Sequence, residues 1–329
     1  MRLQQLLARP DTEARAEMGK KIATRGGSLV ARILMYLFLI SVSYVLLYPL
    51  LFAFSQAFRT VDDVYNANVI WIPTRLTLDN FRTLWEGIDY ITLFRNTLII
   101  CLGSSLAQVA VCAVTGYGMA RFKFKEKGFW MAVLLLTVVL PPQIVSIPNF
   151  FLYRDFDPTG LFGLIESLTG VRIQIRLLDT LGVYFLPAIL GQGMRSGIFI
   201  LIFWQFFRGL PQELEDAAYV DGAGPLRTFR SVMLPNCRAA VVVSFLFSIV
   251  WYWNDTYVGS MYTESLETIS VRLSLISSDI TTLGLQVDRM TESIYIQAAI
   301  LISITPLLLL YLFCQRVFVE SVERAGIVG

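Results

Sequence analysis

Histidine is absent from this chain of 329 residues, which excludes imidazole general acid–base catalysis, Ser–His and Cys–His nucleophiles, and His-ligated metals. Charge is scarce too: Asp, Glu, Lys and Arg make up 16% of the residues, where a soluble domain carries about a quarter. A net charge of +2, with Lys and Arg scattered in short flanks, offers no basic face for nucleic acid. The 4 cysteines, Cys101, Cys112, Cys237 and Cys314, lack metal-ligand spacing and read as small apolar fillers. No Gly-x-x-x-x-Gly-Lys-Ser/Thr loop occurs, so the usual phosphate cradle for ATP is missing. The stretch before Leu29 is polar and basic rather than signal-like, so the first apolar run is expected to be a retained span.

What is abundant is apolar surface: 55% of residues are hydrophobic, and the mean hydropathy is +0.61. A helix needs about 20 apolar residues to cross roughly 30 Å of hydrocarbon. Six runs meet that length: Val30 to Phe54, Thr92 to Gly116, Phe129 to Leu152, Phe185 to Phe207, Cys237 to Tyr257, and Ser293 to Gln315. They divide the chain into a basic N-terminal tail (1–29), a six-span domain (30–315) and a C-terminal tail (316–329). Cations concentrate in the N-terminal tail, at Arg121, Lys123, Lys125 and Lys127, and at Arg208, Arg227, Arg230 and Arg238. The positive-inside rule then places both termini in the cytoplasm.

Within the spans, the second collects Gly103, Ser104, Ser105, Ala107, Ala110, Ala113, Gly116 and Gly118, residues that let helices approach closely, and is expected at the centre of the bundle. Pro141 and Pro142 fall midway in the third and should kink or break it. The kink reads equally as a bend lining a pathway and as plain helix geometry. Outside, Leu78 to Leu84 looks like a short helix with Asp79 and Asn80 as caps, and Ile173 to Leu177 like an extended stretch.

The fourth connection, 208–236, is the most informative. Pro211 suits a first helical turn, and Glu213, Glu215 and Asp216 place negative charge at the positive end of a helix running to about Val220. Asp221-Gly222 supplies a turn, and a second helix is expected from Pro225 to Met233, stopping before Pro235. Leu226, Phe229, Val232 and Met233 recur at helical spacing beside Arg227 and Arg230. Physics alone leaves two readings open: a rigid knob that a second protein grips, and an amphipathic loop on the membrane surface.

The order Asp216-Ala217-Ala218, Gly222, Val232-Met233-Leu234-Pro235 resembles the "EAA" loop of ABC-importer permeases: Glu-Ala-Ala, three residues, Gly, nine residues, Ile-x-Leu-Pro. Asp216 stands for the family glutamate and Val232 for isoleucine. Trp71-Ile72-Pro73 with Thr77 to Phe81, Arg95 to Leu98, Gly116 to Phe122 and Trp253-Asn254-Asp255 are similar, in the same order, to elements of the carbohydrate-uptake, maltose-type branch. Two features depart from that branch. The stretch 156–176 is an insertion enlarging the external loop 153–184, and the tail from Ala325 to Gly329 lacks the branch's lysine.

The resemblance implies an all-α membrane protein of the ABC type I importer permease fold, with six transmembrane helices, in a bacterial or archaeal cytoplasmic (inner) membrane. It implies a sugar or oligosaccharide solute and no enzymatic activity in this chain, with ATP and Mg held by two copies of a cytoplasmic ABC ATPase. A second, related permease and an extracytoplasmic solute-binding protein complete the expected assembly. It makes Glu213, Glu215, Asp216, Ala217, Ala218, Asp221, Gly222, Leu234 and Pro235 the candidate ATPase-coupling residues. Polar or aromatic residues within spans are candidates for the solute pathway: Gln108, Asn149, Gln192, Gln205, Trp253, Asn254 and Gln297. Arg195 reads as a side chain snorkelling to the interface. The same fold carrying a non-sugar solute, a secondary transporter and a non-transporting scaffold are the rival readings. The spans hold almost no ionisable groups to carry coupling ions, which disfavours the secondary transporter.

Overall fold

The computed structural model describes residues 11–157, 159–171, 174–282 and 288–327. Arg2 and Arg9 of the basic flank, Ile173 of the expected extended stretch, and the last residues Val328 and Gly329 lie outside the described residues. Every regular element among the described residues is helical. The first half runs α1 (Asp11–Ala57), α2 (Val61–Tyr65), α3 (Asp79–Gly87), α4 (Tyr90–Arg121), α5 (Lys127–Val139), a 3-10 turn (Pro142–Val145), α6 (Ser146–Arg154), α7 (Leu161–Thr169) and α8 (Gly182–Ile189). Then follow α9 (Ser196–Gly209), α10 (Glu213–Val220), α11 (Pro225–Thr228), a π turn (Phe229–Met233), α12 (Leu234–Asn236), α13 (Arg238–Trp253), α14 (Tyr257–Tyr262), α15 (Ile269–Ser274), α16 (Ile276–Thr282) and α17 (Arg289–Ile327).

Three helical stretches are long and apolar enough to cross a membrane, Ala31–Ala57, Tyr90–Arg121 and Arg289–Gln315. They fall on the first, second and sixth expected runs, where unbroken apolar sequence leaves the backbone no partner but itself. Two bent pairs raise the number to five: Lys127–Val139 with Pro142–Arg154 at 98°, and Pro225–Asn236 with Arg238–Trp253 at 79°. The first break falls at the Pro141–Pro142 pair, as the missing N–H groups require.

The fourth expected span is not one helix. α8 ends at Ile189 and α9 starts only at Ser196. Pro187 sits inside α8, Gly191 and Gly193 follow, and Arg195 adopts the left-handed region at φ 59°. Hydropathy averaged over 185–207 conceals that interruption. The fifth span also ends early, at Trp253, because Asp255 takes the N–H groups of Val258 (3.1 Å) and Gly259 (3.1 Å) and so begins α14. In the first external loop α3 occupies Asp79–Gly87 without the expected caps. Asp79 instead receives the Thr77 hydroxyl at 2.7 Å, and the Asn80 amide is buried, donating to the carbonyls of Ala57 and Arg59 at 2.8 Å each.

α4 is the axis of the bundle, packed by α8, α9 and α13. A Cβ at Gly116 would lie 2.5 Å from Cβ of Phe203 and 2.9 Å from the Trp204 amide nitrogen, so only glycine lets α4 and α9 come this close. α1 is the opposite case. It leans on α17 and leaves most of its apolar surface, from Ile33 to Phe54, uncovered.

Candidate functional site

The connection 208–236 is built into the bundle rather than laid over it. Glu213, Glu215 and Asp216 occupy the first turn of α10, where they complement the helix dipole. Its end closes with the Gly222 N–H donating to Tyr219 O (3.0 Å) and the Ala223 N–H to Ala218 O (2.9 Å). Gly222 takes the left-handed φ of 76° that this paired cap demands. The second helix does not stop before Pro235. It continues to Asn236 through a π turn, in which the Leu234 N–H bonds Phe229 O. The wider turn absorbs the clash and the lost donor that Pro235 would otherwise impose.

Packing splits this knob into a root and a face. Ala218, Thr228, Phe229 and Met233 are buried, and the Phe229 ring lies 5.1 Å from Tyr117 and 6.0 Å from Phe207. Beneath α10 the buried Glu215 carboxylate pairs with Arg121 at 3.5 Å, and the Arg121 guanidinium also donates to Leu210 O at 2.7 Å. Glu213, Asp216, Ala217, Asp221, Gly222 and Pro235 are exposed, and Leu234 is half-buried. Between them two apolar side chains face outward, Val220 at 87% exposure and Leu226 at 77%. Sequence periodicity assigned Leu226 to the same apolar face as Phe229; the structure sets them on opposite duties.

A second feature is a cavity of about 750 Å³ where α5, α6, α8, α9 and α13 break or end. It brings together three of the pathway candidates, Asn149, Gln192 and Asn254, on a wall that also carries Trp130, Trp251, Tyr252, Asp255 and Arg195. The other candidates lie off it. Gln108 is fully buried, its amide donating to Met194 O (2.6 Å) and Ser196 Oγ (3.0 Å) and accepting from Ser248 (3.3 Å), so it staples α4 to α9 and α13. The Trp253 indole donates to Ser303 O at 3.1 Å and fixes α13 to α17. Gln205 is exposed on α9, and Gln297 is half-buried on α17.

The loop that follows 156–176 is tied down by Asp179. Its carboxylate accepts the N–H groups of Glu264 (2.8 Å), Ser265 (2.7 Å) and Leu266 (3.3 Å) and the Ser265 hydroxyl (2.6 Å). These donors, the Ser265 hydroxyl foremost, hold the Asp179 carboxyl down at about 2.

Apolar helices interrupted around a largely apolar cavity that carries a few polar side chains, with a rooted knob at the end of one of them, are the architecture of a multi-span membrane protein. The chain belongs to the family described as binding-protein-dependent transport system inner membrane component, whose model matches residues 113–324. It is 27% identical to the maltodextrin transport system permease protein MdxG of Bacillus subtilis over 92% of this chain and 98% of that one. With the probable ABC transporter permease protein YurM of Bacillus subtilis it shares 26% identity over 90% of this chain and 87% of the relative. The diacetylchitobiose uptake system permease protein DasC of Streptomyces coelicolor is 23% identical over 86% and 92%. Among solved structures, a bacterial ABC transporter involved in the import of the acidic polysaccharide alginate superposes with a TM-score of 0.64. That chain is 17% identical, with 89% of this chain and 97% of the other covered. The chain is thus the inner-membrane permease component of a binding-protein-dependent importer.

Proposed function

We propose that this chain forms one half of the translocation pathway for a sugar or oligosaccharide, turned by an ATPase that is a separate subunit. In this reading six spans cross a bacterial or archaeal inner membrane, α8 and α9 together forming the fourth, and both termini are cytoplasmic. ATP and Mg sit on two copies of the ATPase, not on this chain. A related permease supplies the other half, and an external binding protein delivers the solute. The names of MdxG and DasC support a saccharide cargo.

The observation that carries the reading is the division of the knob into a buried root, Phe229 and Met233, and an exposed face, Val220 and Leu226. Shifting a transporter from 1:99 to 99:1 takes about 5.5 kcal/mol of differential binding, which only a rigid lever can transmit. Asn149, Gln192 and Asn254 are the side chains we assign to the solute.

The test is co-purification followed by vesicle transport. An ATPase, a second permease and a binding protein should accompany the chain out of its own membrane. Val220→Asp with Leu226→Asp should leave the chain folded while releasing the ATPase and abolishing solute-dependent ATP turnover. A double variant that still couples hydrolysis to uptake at the normal rate would overturn the assignment.

A further inference from the structure

Among the described residues that line the cavity two are charged, Asp255 and Arg195, and they are not equivalent. Asp255 is buried, and its two oxygens are already engaged by Tyr184 (3.2 Å), the Val258 N–H (3.1 Å) and the Gly259 N–H (3.1 Å). Arg195 is exposed on the wall, and no ion pair among the described residues includes it. The charge left free for a solute is therefore positive.

The backbone beneath that charge is held on both sides. Met194 O accepts the Gln108 amide at 2.6 Å, the Met194 N–H donates to the Tyr252 hydroxyl at 3.3 Å, and the buried Ser196 accepts from Gln108 at 3.0 Å. Arg195, between them, is kept at φ 59°, a conformation that non-glycine residues adopt only where their surroundings impose it. The backbone that carries the cation is thus anchored on the cavity wall, and the Arg195 side chain is exposed there.

We propose that Arg195 recognises an acidic group on the translocated saccharide, a carboxylate or a phosphate, while Asn149, Gln192 and Asn254 meet its hydroxyls. Guanidinium pairs with either oxyanion through two parallel hydrogen bonds, and the half-enclosed cavity screens the pair less than bulk water does. The proposal rests on the saccharide-importer reading given above.

The experiment uses the permease–ATPase complex in nanodiscs, titrated with trigalacturonate, glucose 6-phosphate and uncharged maltotriose. At least one acidic probe is expected to bind about tenfold more tightly than maltotriose at low salt, and the preference should shrink as salt rises. The two acidic arms separate carboxylate from phosphate as the preferred group. Arg195→Gln should erase the preference while the complex still assembles with its ATPase, and Arg195→Lys should keep most of it. The salt dependence of the unaltered complex needs no variant and stands as an independent readout. Equal affinity for maltotriose and both acidic probes, no binding of either acidic probe, or a preference that survives Arg195→Gln would each overturn the proposal. A lipid headgroup as the true partner of Arg195 shows itself as the first of these. Failure of an ATPase to co-purify would instead sink the importer reading.

Discussion

Two connections between apolar segments, 208–236 and the one that contains 156–176, are opposite in construction. The first drives Phe229 and Met233 into the bundle and buries an ion pair beneath itself. The second is closed on itself by the Phe156 N–H to Ile175 O bond (2.9 Å) and meets α6 through the Leu177 N–H to Tyr153 O bond (2.7 Å), and its helix α7 buries no residue. Both are helical, so secondary structure does not distinguish a lever from an appendage. What distinguishes them is whether moving the connection must also move the spans.

The hardest blow to that contrast is a truncation at the root of the knob. Phe229→Ala should destabilise the folded chain by about 3–5 kcal/mol, the cost of deleting a buried ring, read as a lowered melting temperature in detergent. Next comes Glu215→Ala, which strands Arg121 beneath α10 and should cost about 3 kcal/mol. Combining it with Arg121→Met should recover part of the loss in a double-mutant cycle, and strict additivity would show that the pair is not coupled.

The Asp179 junction is intermediate, and pH exposes it. A carboxyl held at about 2 in the fold, against about 3.9 when unfolded, contributes fully above pH ~4. The contribution is lost as the pH falls from there through about 2. The stability gap between the unaltered chain and Asp179→Asn should therefore narrow over that window. A gap that is constant with pH would remove the carboxylate from the account. Smallest is Leu164→Ser with Leu168→Ser on α7: both side chains are exposed, and the melting temperature should move by less than about 0.5 kcal/mol's worth. A loss comparable with Phe229→Ala would show that α7 is packed after all, and the contrast would fall.

Much of this was legible in the chain. Unbroken apolar runs located α1, α4 and α17, the proline pair located the break after α5, and the Asp221-Gly222 turn located the elbow of the knob. What the chain did not reveal shares a cause, which is dependence on partners distant in sequence or on alternative backbone geometry. Pro235 reads as a stop because an α-helix cannot accept it, whereas a π turn can. Glu215 and Arg121 lie on different helices, and nothing local marks them as a pair. Gln108 and Trp253 have the residue types of a solute contact, but their hydrogen bonds are spent inside the protein. The apolar run around Arg195 likewise hid the start of α9.

That helix end bears on how the protein is made. α9 has 14 residues, about 21 Å of helix against roughly 30 Å of hydrocarbon. If α8 and α9 form one span as proposed, the irregular backbone at 190–195 falls where bare lipid cannot satisfy it. A chain alone in the bilayer would then present that backbone, and the cavity beside it, to acyl chains. On that reading, a protein surface covering 190–195 would favour assembly in step with insertion.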